Sequence, residues 1–349
     1  MSHAPDQVDR EDKAWSDRDI LRDPRTVAVA TTVIHVAAAS DRRFAMPLAV
    51  MVKSMLSALG PSQSVRLHIL DCGIRRTDRA RLLESWRDDR LTIDWYRIDQ
   101  NRLRAYPVTA HFTRATYARL LIPALVPADV AKVIYLDADV LVRSDIGDLW
   151  SEPLDGASCL AVQDVSVPWM DCAATIPNYD RCGPYLGRHP PISNYRELGF
   201  APDDPYFNGG VLVMDLDRCR SEQLSRRAFD CLDANQRHVL WADQYALNVA
   251  LHGRWRPLDL AWNQGAHVLH YPDWRHSPFD FETLSRCRFA PRIVHFTTAD
   301  KPWVRPEAHP FSGQFFKSLD QTAWAGWRPP PAWRRTLAKA IRRLNALWE

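Results

Sequence analysis

The sequence predicts an α/β protein built on a doubly wound, mixed and mostly parallel sheet with flanking helices. Apolar strand patterns alternate with helical patterns through the first third of the chain, which is typical of such sheets. At 349 residues, with 46% hydrophobic and 25% charged residues, the chain can bury a large core. Two acids also follow a buried strand, at the edge where open α/β sheets bind their ligands.

Composition narrows the class of protein further. The net charge of +3 is too small to indicate a nucleic-acid partner. The seven cysteines are an odd number without a Cys-x-x-Cys pair, which favours reduced thiols over a disulfide framework or a zinc site. The N-terminus lacks the apolar core of a signal peptide, and no stretch approaches about 20 apolar residues. We therefore predict a cytoplasmic protein, or one peripheral on the inner face of the cell membrane.

The N-terminal third of the chain opens with an arm and then enters the sheet. Residues 1–25 are charged and aperiodic, which predicts a disordered or loosely attached arm. Residues 27–39 are a mostly apolar run typical of a buried first strand. A helical pattern over residues 44–59 then stops at Gly60-Pro61.

The remaining elements follow from the same patterns. Strands are predicted over residues 65–70, 91–98, 133–136, 211–214 and 292–296, and helices over residues 78–86, 111–121, 221–232 and 242–252. Residues 164–205 contain Pro, Tyr and Asn without a regular period. Inside a compact domain, such a segment is usually a lid or a binding loop.

The C-terminal extension, residues 311–349, differs in kind. Its last part places five apolar residues at helical spacing and basic residues between them, at Trp333, Leu337, Ile341, Leu344 and Trp348 and at Arg334, Arg335, Lys339, Arg342 and Arg343. A basic helix with Trp on its apolar face is typical of a peripheral anchor on an anionic membrane surface. The alternative is a terminal helix docked on the domain itself. The preceding run Pro329-Pro330-Pro331 favours the membrane.

Asp137 and Asp139 are the first candidate functional residues. In a continued strand, residues two apart point the same way, so both carboxylates could bind a hard divalent cation such as Mg²⁺ or Mn²⁺. The alternative is a pair of loop acids that are solvated or cap a helix. The apolar run continues through Val140-Leu141-Val142. This favours the metal, because ionised carboxylates inside a hydrophobic element need a compensating cation or donor.

His295 and Lys301 are further candidates. His295 ends a short apolar run and could complete a metal site, although a histidine there is more often a core or loop residue. Lys301 offers a cation suited to a phosphate, or else is a solvated surface lysine.

Six motifs in one order give the sequence a recognisable signature. They are Ala37-Ala38-Ala39-Ser40-Asp41, Thr116-Tyr117-Ala118-Arg119, Tyr135-Leu136-Asp137-Ala138-Asp139, Tyr206-Phe207-Asn208-Gly209-Gly210, Asp243-Gln244, and the run from His295 to Trp303. Together they resemble the retaining glycosyltransferases of family 8, which include bacterial lipopolysaccharide galactosyl- and glucosyltransferases and glycogenin.

The resemblance implies a GT-A nucleotide-sugar-binding fold over residues 26–310 and a metal-dependent enzyme. Such an enzyme would use Mn²⁺ or Mg²⁺ to move glucose or galactose from a UDP-hexose donor, with retention, to a glycan or lipid-linked saccharide acceptor of the lipopolysaccharide type. By position, the implied metal ligands are Asp137, Asp139 and His295. The implied nucleotide-diphosphate contacts are Ala38, Asp41, Arg119 and Lys301. The implied residues around the sugars are His111, Asp164, Asn208, Asp243 and Gln244.

Retention leaves two mechanisms open. A double displacement normally uses a carboxylate nucleophile, for which Asp243 is the candidate. An amide such as Gln244 is a poor nucleophile. We therefore favour attack on the same face as the departing phosphate, with Gln244 and Asn208 stabilising positive charge at the sugar.

Two other functions compete with a transferase. Aspartate-dependent phosphatases also place two acids after a strand, but they begin their domain with that strand. They also want Thr or Val where this chain has Leu141. A non-catalytic nucleotide-sugar-binding module stays open, because binding and catalytic residues coincide.

Overall fold

The fold is organised around two sheets. The computed structural model describes residues 16–19, 32–107 and 113–331. Its strands are β1 (Ser16–Asp19), β2 (Thr32–Ser40), β3 (Gln63–Asp71), β4 (Leu91–Ile98), β5 (Lys132–Leu136), β6 (Val140–Val142), β7 (Cys159–Gln163), β8 (Phe207–Asp215), β9 (Trp255–Leu258), β10 (Gln264–Gly265) and β11 (Ile293–His295). The large sheet has the order β1-β4-β3-β2-β5-β8-β7-β9, and the small sheet has the order β10-β11-β6.

The large sheet is mixed and mostly parallel. Strands β4, β3, β2 and β5 run parallel to one another, and β9 runs parallel to β7. Strand β8 runs antiparallel between β5 and β7, and β1 lies antiparallel on β4. The predicted mixed, mostly parallel sheet is therefore confirmed.

The central strands are buried on both faces, which explains their continuous apolar runs. In β2, Ile34, Val36 and Ala38 pack in one hydrophobic core, whereas Ala37 and Ala39 pack in the other. Alternate residues thus serve opposite layers, and helices cover both.

The described helices surround these layers. They are α1 (Ala45–Ala58), α2 (Arg76–Ser85), α3 (Ile122–Leu125), α4 (Ile146–Ser151), α5 (Cys172–Thr175), α6 (Tyr179–Cys182), α7 (Leu216–Ser221), α8 (Leu224–Ala234), α9 (Ala242–Ala250), α10 (Phe281–Phe289) and α11 (Ser312–Leu319). Within the described residues, none of these helices has the length and apolar character that crossing a bilayer requires. Residues 114–121, predicted as helix, form a 3₁₀ helix that leads into α3.

Several predicted boundaries differ from the structure. The helix predicted over residues 221–232 corresponds to α8 but begins three residues later, because Gln223 takes a left-handed conformation (φ 53°) that separates α7 from α8. Part of the predicted arm forms β1, while residues 1–15 and 20–31 lie outside the described residues. The first part of the predicted C-terminal extension belongs to the main hydrophobic core. Its residues Phe315, Leu319 and Trp324 pack in the same core as β2 and α1. The predicted terminal helix, from residue 332 onwards, also lies outside the described residues.

The segment 164–205 is ordered and contributes most of a small hydrophobic core of its own. Its residues Met170, Ile192, Tyr195 and Phe200 pack around Tyr245 of α9. The buried Tyr245 hydroxyl also donates to Asn194 Oδ1 over 2.8 Å. The sequence showed no period here, because this segment is built from short helices and turns.

Candidate active site

The chain changes sheets at the acid pair, Asp137 and Asp139. Strand β5 of the large sheet ends at Leu136, and β6 of the small sheet begins at Val140. Residues 137–139 form a turn between them. The expectation that one strand carries both acids was therefore wrong. It is the turn that brings the carboxylates to the edge where the parallel strands end.

His295 completes a cluster with the acid pair. Its Nε2 lies 3.4 Å from Asp139 Oδ1 and 3.6 Å from Asp137 Oδ2. One ligand atom from each of the three residues lies within 4.8 Å of the others. Carboxylates suit Mg²⁺ and Mn²⁺, and an imidazole is a common ligand of divalent transition metals, so the residues present fit a divalent cation of the kind that the resemblance implied.

Backbone pairing explains how His295 reaches the turn. In the small sheet His295 lies opposite Val140, and the Phe296 N–H donates to the Asp139 carbonyl over 3.1 Å. Across the cluster, the Asp137 N–H donates to the Gly210 carbonyl over 2.9 Å. A Cβ on Gly210 would lie 2.2 Å from His295 Cε1, so the imidazole needs glycine at this position.

Lys301 lies against the acid pair. Its Nζ is 2.5 Å from Asp139 Oδ2 and also donates to the Phe296 carbonyl. Burial alone would raise the pKa of Asp139, but Lys301 and then His295 outweigh it and hold that pKa below its usual range. Asp139 is therefore ionised and able to bind a cation.

Arg119 joins the acid pair to Asp243. Its Nε lies 2.5 Å from Asp243 Oδ2 and its Nη2 lies 3.3 Å from Asp137 Oδ1. It also donates to the Gly209 carbonyl. Burial would lower the pKa of Arg119, but Asp137 and Asp243 raise it further than burial lowers it. The guanidinium is therefore a permanent charge between two carboxylates, and its predicted diphosphate contact stays a prediction.

Asp243 is a buried carboxyl group that accepts one hydrogen bond and forms an ion pair with Arg119. It is 1% exposed, and Thr116 Oγ1 donates to its Oδ1 over 2.5 Å. Burial raises the pKa of Asp243 to about 6, against the opposing effect of Arg119. The residue before it, Ala242, has φ 49°, a conformation that L-residues rarely adopt. This backbone turn sets Asp243 and Gln244 at the start of α9.

Two side-chain amides meet at the carboxylate of Asp164. Asn208 Nδ2 donates to Asp164 Oδ2 over 3.0 Å, and Gln244 Nε2 donates to the same oxygen over 3.3 Å. The Gly209 N–H donates to Gln244 Oε1 over 3.0 Å, which fixes the orientation of that amide. This group faces the acid pair across the same cleft.

The cleft has a volume of about 350 Å³ and is lined by most of the predicted site residues. These are Arg119, Asp137, Asp139, Asp164, Asn208, Asp243, Gln244, His295 and Lys301. Ala38 is fully buried and packs in the core instead, although its neighbours Ala39 and Ser40 line the cleft. Asp41 lies beside Ser40 and accepts from the Arg43 and Phe44 N–H groups. His111 lies outside the described residues.

Sequence reasoning did not assign Tyr135 and Asn263 to the site. Tyr135 donates to Asp137 Oδ1 over 2.7 Å; its position two residues before Asp137 was the signal that could have revealed it. Asn263 lies 2.9 Å from both His295 Nδ1 and Asn208 Oδ1. It belongs to the 3₁₀ helix Leu260–Asn263, and no pattern in the sequence distinguishes it.

The mixed sheet, the helices on both faces and the cleft at the strand ends form the GT-A architecture of glycosyltransferases. The solved structure of the galactosyltransferase LgtC, in complex with donor and acceptor sugar analogues, shares this fold with a TM-score of 0.68. The alignment covers 86% of this chain and 99% of LgtC at 24% identity.

The family follows from the sequence match. The model of glycosyl transferase family 8 matches residues 35–306, and the chain belongs to this family, as the sequence resemblance implied. General stress protein A of Bacillus subtilis is 24% identical over 84% of this chain and 95% of its own length. The lipopolysaccharide 1,2-glucosyltransferase of Escherichia coli is 26% identical over 70% of this chain and 65% of its own length.

Proposed function

We propose that this glycosyltransferase moves glucose or galactose from a UDP-hexose to a saccharide acceptor of the lipopolysaccharide type, with a divalent cation and with retention. The observation that carries the proposal is the approach of His295 Nε2 to within 3.4 and 3.6 Å of the acid pair at one end of the cleft. A glucosyltransferase relative and a galactosyltransferase of the same fold support the two candidate sugars.

The charged end of the cleft would bind the diphosphate. Asp137, Asp139 and His295 would hold Mn²⁺ or Mg²⁺, which when bound would offset negative charge on the departing nucleotide. Lys301, anchored on Asp139, would place its ammonium group beside the same phosphates.

The amide end of the cleft would bind the donor sugar. Asp164 holds Asn208 and Gln244 in place, so their dipoles can face the positive charge that develops on the sugar ring. The bond from the anomeric carbon to the phosphate oxygen breaks and a bond to the acceptor oxygen forms on the same face. The proton of the acceptor hydroxyl passes to the departing phosphate.

The state of Asp243 supports this same-face mechanism over a double displacement. A carboxylate nucleophile must present an ionised oxygen to the sugar. Asp243 instead is 1% exposed and directs its oxygens at Thr116 and Arg119. Asp243 would instead position Arg119 and Thr116 beside the acid pair.

The direct test is incubation with a panel of UDP-hexoses, with and without Mn²⁺ and without acceptor. We expect slow, Mn²⁺-dependent release of UDP from one hexose. Tight binding without release would indicate a nucleotide-sugar-binding module. Phosphate release from a generic phosphomonoester run in parallel would indicate a phosphatase.

Asp139→Asn tests the metal ligand. We expect turnover to fall by at least about 10²-fold, because the variant weakens binding of the cation that would offset negative charge on the departing nucleotide. The matched control is Asp148→Asn, the same change at an exposed residue that pairs with Arg292. Equal turnover of both variants, or full wild-type activity in the presence of a chelator, would contradict the metal role.

A further inference from the structure

A chain of side-chain amides connects the two ends of the cleft. His295 Nδ1 lies 2.9 Å from Asn263 Oδ1, and Asn263 Nδ2 donates to Asn208 Oδ1 over 2.9 Å. Asn208 Nδ2 then donates to Asp164 Oδ2 over 3.0 Å. Asn263 is 2% exposed and His295 is 5% exposed, so water does not compete for their shared hydrogen bond.

A backbone donor fixes the direction of this chain. A backbone N–H can only donate. The Gly210 N–H donates to Asn208 Oδ1 over 3.0 Å, so that atom is the carbonyl oxygen and the Asn208 amide nitrogen faces Asp164. The Asn263 atom that faces Asn208 Oδ1 must then be its nitrogen. The Asn263 oxygen therefore faces His295, and this contact requires a hydrogen on Nδ1 of the imidazole.

This tautomer determines what His295 presents to the acid pair. In a neutral imidazole with hydrogen on Nδ1, the lone pair is on Nε2. Nε2 is also the atom nearest to Asp137 and Asp139. We propose that Asn263 is a positioning residue that locks His295 in the Nδ1–H tautomer and so presents the Nε2 lone pair to a cation, an inference that rests on the metal-dependent function proposed above.

The alternative tautomer would disable the ligand. With hydrogen on Nε2, His295 would donate to the carboxylates of the acid pair and would have no lone pair there for a metal. The nearby carboxylates favour that tautomer, and Asn263 opposes it. Loss of a residue that orients a metal ligand typically weakens metal binding 10–100-fold.

Titration of Mn²⁺ alone, without donor or acceptor, tests the inference by calorimetry. We expect Asn263→Ala to bind Mn²⁺ about 10–100-fold more weakly than the wild type. Asn263→Asp keeps an oxygen that accepts from His295 Nδ1, so we expect it to restore Mn²⁺ binding. The aspartate cannot donate to Asn208, so the affinity for UDP-hexose should still fall. Wild-type Mn²⁺ affinity in a folded Asn263→Ala variant would overturn the inference.

Nitrogen NMR of the histidine rings gives a readout that needs no metal and no activity. The spectra are recorded at mildly alkaline pH. The His295 resonances are identified as those that are missing from the spectrum of His295→Gln. We expect the wild type to carry its hydrogen on Nδ1, and Asn263→Ala to shift the population towards Nε2. Hydrogen on Nε2 in the wild type would overturn the inference, whether or not Asn263→Ala folds. A wild type that binds no Mn²⁺ would instead overturn the proposed function.

Discussion

The position of the His295 imidazole depends on the space left by Gly210, and substitution of this glycine tests that dependence. An alanine there would place its Cβ 2.2 Å from His295 Cε1 and 3.0 Å from Asp137 Oδ2, so the imidazole must move. We expect Gly210→Ala to weaken Mn²⁺ binding about 10–100-fold, the range seen when the orientation of a metal ligand is disturbed. Calorimetric titration measures this.

The control for Gly210→Ala is Gly313→Ala in α11, where an added Cβ would have nothing within 4 Å. It should leave Mn²⁺ affinity unchanged and should not lower the melting temperature. If both alanine variants bind Mn²⁺ as the wild type does, His295 does not ligate the ion.

The buried carboxyl of Asp243 predicts a pH dependence of stability. Its pKa is raised to about 6 by burial, above the ordinary value of about 3.9, so the folded protein holds this proton more tightly than the unfolded chain does. The stability linked to this group is fully present below a pH of about 4 and is lost as the pH rises through about 6. The difference between the two pKa values corresponds to about 3 kcal/mol.

Urea unfolding of the wild type and of Asp243→Asn at several pH values measures this effect. The free energy of unfolding should shift in favour of the variant by up to about 3 kcal/mol between a pH of about 4 and about 7. Asp148→Asn, at an exposed acid, serves as the control. A difference between Asp243→Asn and the wild type that does not change with pH would show that Asp243 titrates normally.

At the scale of elements, Arg220 of α7 secures the loop between α3 and β5. Its guanidinium donates to the carbonyls of Pro123, Val126, Pro127 and Val130 over 2.9–3.1 Å. Hydrogen bonds from a charged donor stabilise the fold, and buried carbonyls left without donors are destabilising. We expect Arg220→Met to lower the free energy of unfolding by about 3 kcal/mol, as measured by urea denaturation.

Arg218→Met in the same helix is the matched control for Arg220→Met. Arg218 is half exposed and pairs with Asp215 at 3.7 Å. An exposed ion pair contributes about 0–1 kcal/mol, so this variant should unfold close to the wild type. Equal losses in both variants would show that the loop does not depend on Arg220.

Elements with a strong period were predictable from the sequence, and those set by tertiary contacts were not. Strand β4 occupies the residues that alternation predicted, 91–98. Strand β9 was not predicted from the sequence, because it contains Pro257 and proline is unfavourable within a strand. The turn at residues 137–139 was not predicted, because apolar residues flank it on both sides. Hydrophobicity alone does not show that the chain passes from one sheet to another there.

The candidate site was predictable where a motif carried it. Asp137, Asp139 and His295 lie in such motifs, and the structure brings them together. Asn263 does not lie in a motif. Its role comes from the residues that it contacts in space, which are distant from it in the sequence.

The C-terminal tail from residue 332 onwards lies outside the described residues, and we propose that it attaches the whole molecule to a membrane. Its basic and Trp-containing pattern predicts attachment to anionic membranes. Deleting residues 333–349 should abolish sedimentation with anionic vesicles and leave activity on a soluble acceptor nearly unchanged. Each Lys or Arg near such a surface contributes about 1 kcal/mol, so binding should also weaken with salt.

A charge-neutralised tail provides the control for this deletion. Replacing Arg334, Arg335, Lys339, Arg342 and Arg343 with Gln keeps both tryptophans. It should reduce binding to anionic vesicles as the deletion does. Vesicle binding that persists after the deletion would place the membrane contact elsewhere or exclude it.

The turn at residues 137–139 also couples ion binding to the mechanics of the fold. A cation bound there would contact the acid pair, which follows β5 of the large sheet, and His295, which ends β11 of the small sheet. Its binding energy would then oppose separation of the two sheets. Amide protons of the three short strands β6, β10 and β11 should accordingly exchange with deuterium more slowly once the ion is bound.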